Sequence, residues 1–107
     1  MSRIDTLRSF IDENPRDPFP RYALAMEYKN GGRLPEAWET FESLLREMPD
    51  YVPAYLHAGN TLVALGRAAE ARAVLEQGVA AATRKGDAHA RGELEGALLT
   101  LPATAGG

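Results

Sequence analysis

The ten residues GRLPEAWETF, Gly32 to Phe41, return in altered form as GRAAEARAVL, Gly66 to Leu75. An offset of 34 positions pairs Gly32 with Gly66, Arg33 with Arg67, Glu36 with Glu70, Ala37 with Ala71 and Glu42 with Glu76. Upstream the correspondence continues with a slip of one residue, Pro20 and Tyr22 in FPRYALA matching Pro53 and Tyr55 in VPAYLHAG. A chain that repeats itself at this period is built from supersecondary units that bury their apolar faces against one another. That constraint outranks composition in limiting the fold.

Inside each unit the spacing is helical. Tyr22, Leu24, Ala25 and Tyr28 cluster on one side of a segment that starts around Pro18 and Pro20 and ends at Gly31 and Gly32. Proline is tolerated in the first helical turn because its missing N–H has no acceptor there, and glycine takes the left-handed conformation that closes a helix. The next segment opens at Leu34 and Pro35, places Ala37, Phe41, Leu44, Leu45 and Met48 at intervals of three and four, and stops at Pro49. In the second unit Tyr55, Ala58, Gly59, Leu62 and Leu65 lead to Gly66, and Ala71, Val74, Leu75 and Gly78 to Ala82 return. Each unit therefore reads as an αα-hairpin. Ala25, Ala37, Gly59 and Ala71 fall where two helix axes must approach closely, and Gly78, unfavourable mid-helix, is explained by the same need. Without a proline at Thr83 the second return helix is expected to run on toward Lys85 and Gly86.

The pattern resembles the tetratricopeptide repeat family, whose 34-residue unit reads W-x2-L-G-x2-Y, then A-x3-F, then P. The first unit carries Leu24-Ala25-x2-Tyr28, Ala37-x3-Phe41 and Pro49; the second carries Tyr55-x2-Ala58-Gly59-x2-Leu62 and Ala71-x3-Leu75. Arg21 stands at the first Trp position, Ala58 at the Leu position and Thr83 at the closing Pro. The resemblance covers residues 18–85 and implies an all-α fold, a right-handed superhelical stack of αα-hairpins. Repeat 1 is expected at 18–51 and repeat 2 at 52–85.

Two repeats leave an apolar face at each end, so the flanks are expected to be caps. Ser2 to Asp5 resembles a capping box and opens an N-terminal helix at 2–14, with Ile4, Leu7, Phe10 and Ile11 as its stripe. Asp87 caps a C-terminal helix at 87–101 in which Ala90, Leu94, Ala97, Leu98 and Leu101 share a face. This makes about six helices in a single domain at 1–101, with a flexible tail at 102–107.

Formal charge is −3, from 12 basic and 15 acidic residues, and Lys and Arg are nowhere clustered, so nucleic acid is not an expected partner. Cysteine is absent, which fits a reducing cytoplasm. The N-terminus is too charged for a signal-peptide core and no apolar run reaches the roughly 18 to 20 residues of a membrane span, so a soluble chain with no membrane partner is expected.

Catalytic chemistry finds little support. His89 and Glu93 stand four apart, which makes a weak surface pair but supplies too few ligands for a metal. His57 has no nucleophile in a fixed relation to it and reads as a solvated surface or groove residue. The carboxylates Asp12, Glu13, Glu36 and Glu39 suit helix ends and outer faces. Gly31, Gly32 and Gly66 end helices and lack the Lys-Ser/Thr of a phosphate loop. The expectation is a protein that is not an enzyme and needs no cofactor or metal.

The family resemblance implies that the first helix of each unit lines a concave surface. Carried over by position, that surface comprises Tyr22, Met26 and Lys29 in unit one and Leu56, Asn60 and Val63 in unit two. Either these residues are open to a peptide or helix of a partner protein, or the flanking helices fill the concavity and make the apolar ones core. A carboxylate clamp of the kind some relatives use is not expected, because only Lys29 and Asn60 suit one. Trp38 is either packed on the initial helix or exposed on the convex side. The implied function is an interaction adaptor or scaffold; the alternative is a self-associating structural unit that forms a homo-oligomer.

Overall fold

The computed structural model describes residues 2–102. Among these, six helices occur and no strand: α1 Arg3–Glu13, α2 Pro18–Asn30, α3 Leu34–Glu47, α4 Pro53–Ala64, α5 Ala68–Lys85 and α6 Ala88–Leu99. The C-terminal helix stops earlier than its apolar spacing suggests, since Thr100 is its C-cap and Leu101 follows it half-buried in irregular chain. The expected flexible tail at 102–107 lies outside the described residues apart from Pro102.

Local chemistry explains the boundaries. Ser2 Oγ accepts from Asp5 N–H at 3.1 Å, Asp17 Oδ1 from Phe19 N–H at 3.0 Å, and Asp87 Oδ1 from Ala90 N–H at 3.0 Å. Each bond satisfies an N–H that the first helical turn leaves without a partner. The helix α3 instead opens with the Arg33–Glu36 ion pair at 2.9 Å, and α5 with Arg67–Glu70 at 2.6 Å. In both, the glutamate also lies in the first turn, where the helix dipole favours it.

One turn geometry recurs three times. Gly32 at φ 77° donates to Lys29 O at 3.1 Å while Arg33 N–H reaches Tyr28 O at 2.8 Å. Gly66 at φ 76° and Arg67 repeat the pair on Val63 O and Leu62 O, both at 2.9 Å. Gly86 closes α5 in the same way, with Asp87 N–H on Ala82 O at 2.8 Å. A left-handed residue is what this double capping bond requires, so glycine is selected at each position. The helix α5 passes Thr83 and reaches 18 residues against 14 in α3.

The hairpins α2/α3 and α4/α5 pack tightly, α3 leans on α4, and α1 and α6 close against α2 and α5. The first helices α2, α4 and α6 also touch in sequence along one side. The thinnest dimension is 19 Å, the depth of two helix layers. Ala25, Ala37 and Ala71 are fully buried, and so are Phe41, Leu44, Leu62, Leu75 and Leu94, which interleave around them. A Cβ on Gly59 would stand 2.6 Å from Leu75 Cδ2, and one on Gly78 2.6 Å from Tyr55 Cβ. Both contacts are shorter than carbon atoms tolerate, so these glycines set the α4–α5 separation.

Trp38 takes neither of the two positions open to it on the sequence. It is 9% exposed and lines a cleft of about 320 Å³ between α3 and α5, floored further by Leu45 and Val74. The Arg67 guanidinium lies 5.9 Å from its ring centroid, so the repeat-2 arginine covers the repeat-1 tryptophan. Arg21 pairs with Glu47 at 2.5 Å, and its side chain is mostly buried.

Candidate functional site

The face shared by α2, α4 and α6 holds a pocket of about 310 Å³. The helix α2 contributes Tyr22; the start of α4 contributes Val52, Pro53, Leu56 and His57; α6 contributes Ala90, Glu93 and Leu94. Three successive helices are needed to enclose it. It exists because the hairpin register brings residues one repeat apart side by side, and because α6 continues the row that α2 and α4 begin.

Tyr22 is the fixed point of this face. Its ring centroid lies 5.6 Å from Tyr51, edge-on, 5.9 Å from His57 and 6.5 Å from Phe41. Tilted aromatic pairs at such distances hold their rings in place. Burial raises the pKa of the Tyr22 phenol, and burial with the neighbouring Tyr22 and Asp17 raises that of Tyr51, so both remain neutral hydrogen-bonding groups.

His57 is not the solvated residue that its sequence context suggests. It is half-buried against Tyr22, and its Nδ1 is buried without a hydrogen-bond partner. Burial lowers its pKa below the ordinary histidine value, Lys29 lowers it further, and Glu93 acts in the opposite sense. The imidazole is therefore neutral at pH 7, and Glu93 of α6 lines the same pocket.

Of the residues singled out from sequence, Tyr22 and Leu56 meet in the pocket. Met26, Lys29 and Val63 are half-buried on the same helices outside it, and Asn60 is exposed. The flanking helix α6 forms the third wall of the pocket without filling it. Phe19, 62% exposed, was not singled out, although it stands at i, i+3 and i+7 with Tyr22 and Met26 and so shares their side of α2. From sequence, Ala90 reads as part of a cap and Glu93 as a solvent-facing partner of His89. Their signal lay in treating α6 as a third copy of the first repeat helix.

His89 Nε2 and Glu93 Oε1 are 3.3 Å apart on the surface. No group of three or more His, Cys, Asp or Glu side chains comes together among the described residues. No helix among them is long and apolar enough to cross a membrane.

A family model for the tetratricopeptide repeat matches residues 31–92, more than half of the chain. A tetratricopeptide repeat domain protein from Salinibacter ruber, solved by NMR, superposes with a TM-score of 0.75 at 37% identity over 80% of this chain and 87% of that one. A protein from Bordetella parapertussis gives 0.77 at 26% identity over 92% and 86%. Among curated proteins, the mRNA 3'-end-processing protein rna14 of Schizosaccharomyces pombe is 46% identical over 50 residues, 47% of this chain. The chain spans 7% of rna14.

Proposed function

As the chain belongs to the tetratricopeptide repeat family, whose domains serve generally as protein-interaction modules and non-catalytic scaffolds, we propose that it is an adaptor. In this reading the face of α2, α4 and α6 receives a peptide or helix of a partner protein. The observation that carries it is the pocket of about 310 Å³ walled by Tyr22, Leu56 and Ala90, with exposed Phe19 one turn before Tyr22 on α2. A part-open apolar cavity with neutral phenol and imidazole groups on its walls is the surface chemistry of peptide recognition. Tyr22, Met26, Lys29, Leu56, Asn60 and Val63 are the contact residues we assign to it, within a single domain at 1–101 acting in the cytoplasm. The match to rna14 is about one and a half repeats long, and it supports the shared repeat without bringing RNA processing to this chain.

The test is affinity capture from the source cells with the full chain and two variants. Pro53→Arg, exposed at the pocket wall, removes the captured partner, whereas Gln77→Arg in the opposite α3–α5 cleft leaves it. Capture by both variants alike refutes the groove. Self-association is the second reading, favoured by the 88% exposure of Leu99 on α6. Light scattering that gives a monomer mass at every concentration removes it.

A further inference from the structure

The pocket between α2, α4 and α6 carries charge of one sign. Glu93 of α6 lines it, while its other walls are apolar side chains, the neutral Tyr22 phenol and the neutral His57 imidazole. Lys29 does not line it. Clefts elsewhere on the molecule hold both signs: Glu42 and Glu70 share the α3–α5 cleft with Arg46, and Asp87 shares a smaller one with Arg91. In those the protein balances its own charge. Here the contact to Glu93 is the exposed His89 imidazole of the same helix at 3.3 Å, a surface pair of little worth.

A second group in the pocket has unused capacity. Arg8 donates to the Tyr28 hydroxyl at 2.6 Å, and the Tyr55 hydroxyl donates to Pro49 O at 2.6 Å. The Tyr22 hydroxyl makes no such bond among the described residues, which leaves its oxygen able to accept one. A carboxylate and a phenol oxygen on an otherwise apolar wall suit a ligand that is aliphatic along its length and cationic at its end.

We infer that this pocket, if the adaptor reading above holds, receives a lysine or arginine side chain of the partner peptide. Its methylene stem lies on Leu56, Ala90 and Leu94, and its charged head reaches Glu93 with the Tyr22 ring beside it. A wholly apolar side chain would cover the same floor but draw water from the Glu93 carboxylate without pairing it, and an acidic one would meet like charge. At about 310 Å³ the pocket stands at the small end of ligand sites, which span about 300 to 1,000 Å³, so one long side chain occupies it. The formal charge of −3 on the whole chain attracts a basic segment from a distance.

Panning a random 12-residue phage-displayed library on the full chain tests this, with selected peptides synthesised and measured by fluorescence anisotropy. Expected peptides share a basic residue, and Pro53→Arg, which sets bulk and a cation at the pocket wall, abolishes their binding. Replacing that basic residue by its uncharged analogue, norleucine for lysine or citrulline for arginine, weakens binding about fivefold to thirtyfold. Glu93→Gln, at an exposed position, weakens the basic peptides about twofold to fivefold and leaves the analogues unchanged. Glu76→Gln, exposed on α5 outside the pocket, changes neither. Peptides lost in Pro53→Arg that ignore the analogue exchange, or that weaken equally in Glu93→Gln and Glu76→Gln, overturn this inference and leave the adaptor reading standing. Peptides indifferent to Pro53→Arg, or a library that yields no binder, overturn both.

Discussion

Replacing Gly78 by alanine should destabilise the fold, although alanine is the better helix former. The residue lies inside α5, where glycine is about 1 kcal/mol less favourable than alanine. Against that gain stands geometry. The new methyl would be 2.6 Å from Tyr55 Cβ, 2.9 Å from Tyr55 Cγ and 3.0 Å from Leu94 Cδ2, where carbon contacts prefer about 3.5 to 4 Å. Roughly 1 Å of separation must be found. Tyr55 Cβ and Cγ are the root of the side chain and follow the α4 backbone, so rotamer change cannot supply it. Tyr55 is 3% exposed and its hydroxyl donates to Pro49 O at 2.6 Å, a bond that backing α4 away would strain.

Overpacking of this kind costs about 1 to 3 kcal/mol, and a weakened buried hydrogen bond adds about 0.5 to 1.5 kcal/mol. After subtracting the propensity gain, Gly78→Ala should lose about 0.5 to 3.5 kcal/mol. Gly92→Ala and Gly96→Ala are the controls, since both positions are helical, exposed and have nothing within 4 Å of the new methyl. Each should gain about 0.5 to 1 kcal/mol. Thermal unfolding followed by circular dichroism separates the cases, because 1 kcal/mol moves the midpoint by about 4 to 8 °C in a domain of this size. A Gly78→Ala midpoint that rises as far as that of Gly92→Ala refutes the claim that this glycine sets the α4–α5 distance.

Gly66→Ala should cost about 1 to 2 kcal/mol for a different reason, the left-handed φ of 76°, with open space around the methyl; urea unfolding reads it, and a neutral result would mean that the turn has another conformation available. Asp87→Ala removes the side-chain acceptor of the Ala90 N–H and should cost about 1 kcal/mol, with amide exchange accelerated first in α6. Exchange that quickens evenly over all helices would contradict it. For His57 the folded state holds its proton less firmly than the unfolded chain, so stability is complete above about pH 6.5 and falls as pH drops below that value toward the lowered folded pKa. An NMR titration should place its ring below the ordinary histidine value, and the pH 5.5 to 7.5 stability difference should shrink in His57→Gln; a ring that titrates above 6.5 contradicts the reading.

The hairpins were legible because what defines them is local. A glycine that must adopt positive φ, a proline in a first turn and alanines at contact spacing each leave a mark within a few residues. What escaped was set between repeats. Trp38 and Arg67 meet only because α3 and α5 stand side by side, and no spacing along either helix encodes that they do. His57 reads as solvated on α4 alone; packing against Tyr22 of α2 in a pocket walled by α6 half-buries it, and that burial lowers its pKa. Gly78 was readable as a point of close approach, but the identity of its neighbour, Tyr55, required the fold.

The two repeats agree and differ in a pattern that follows from this division. At the 34-residue offset, Gly32 and Gly66 make the same capping turn, Arg33–Glu36 and Arg67–Glu70 the same ion pair, and Ala37 and Ala71 are both fully buried. Each of these has a mechanism that tolerates few alternatives. On the α2–α4 face the equivalent turn bonds to Tyr28 O and Leu62 O keep the 34-residue offset, against the one-residue slip expected from Pro20 and Tyr22; it pairs Tyr22 with Leu56, Ala23 with His57, Met26 with Asn60 and Lys29 with Val63, and no pair matches. Stacking demands a shared frame and asks little of side chains that face away from it. Positions the frame leaves free can differ in charge and shape, and only a contact outside the frame gives those differences consequence. That is why the chemistry of this surface has to be read residue by residue, and why, in the adaptor reading, a substitution at exposed Pro53 should move binding before it moves stability.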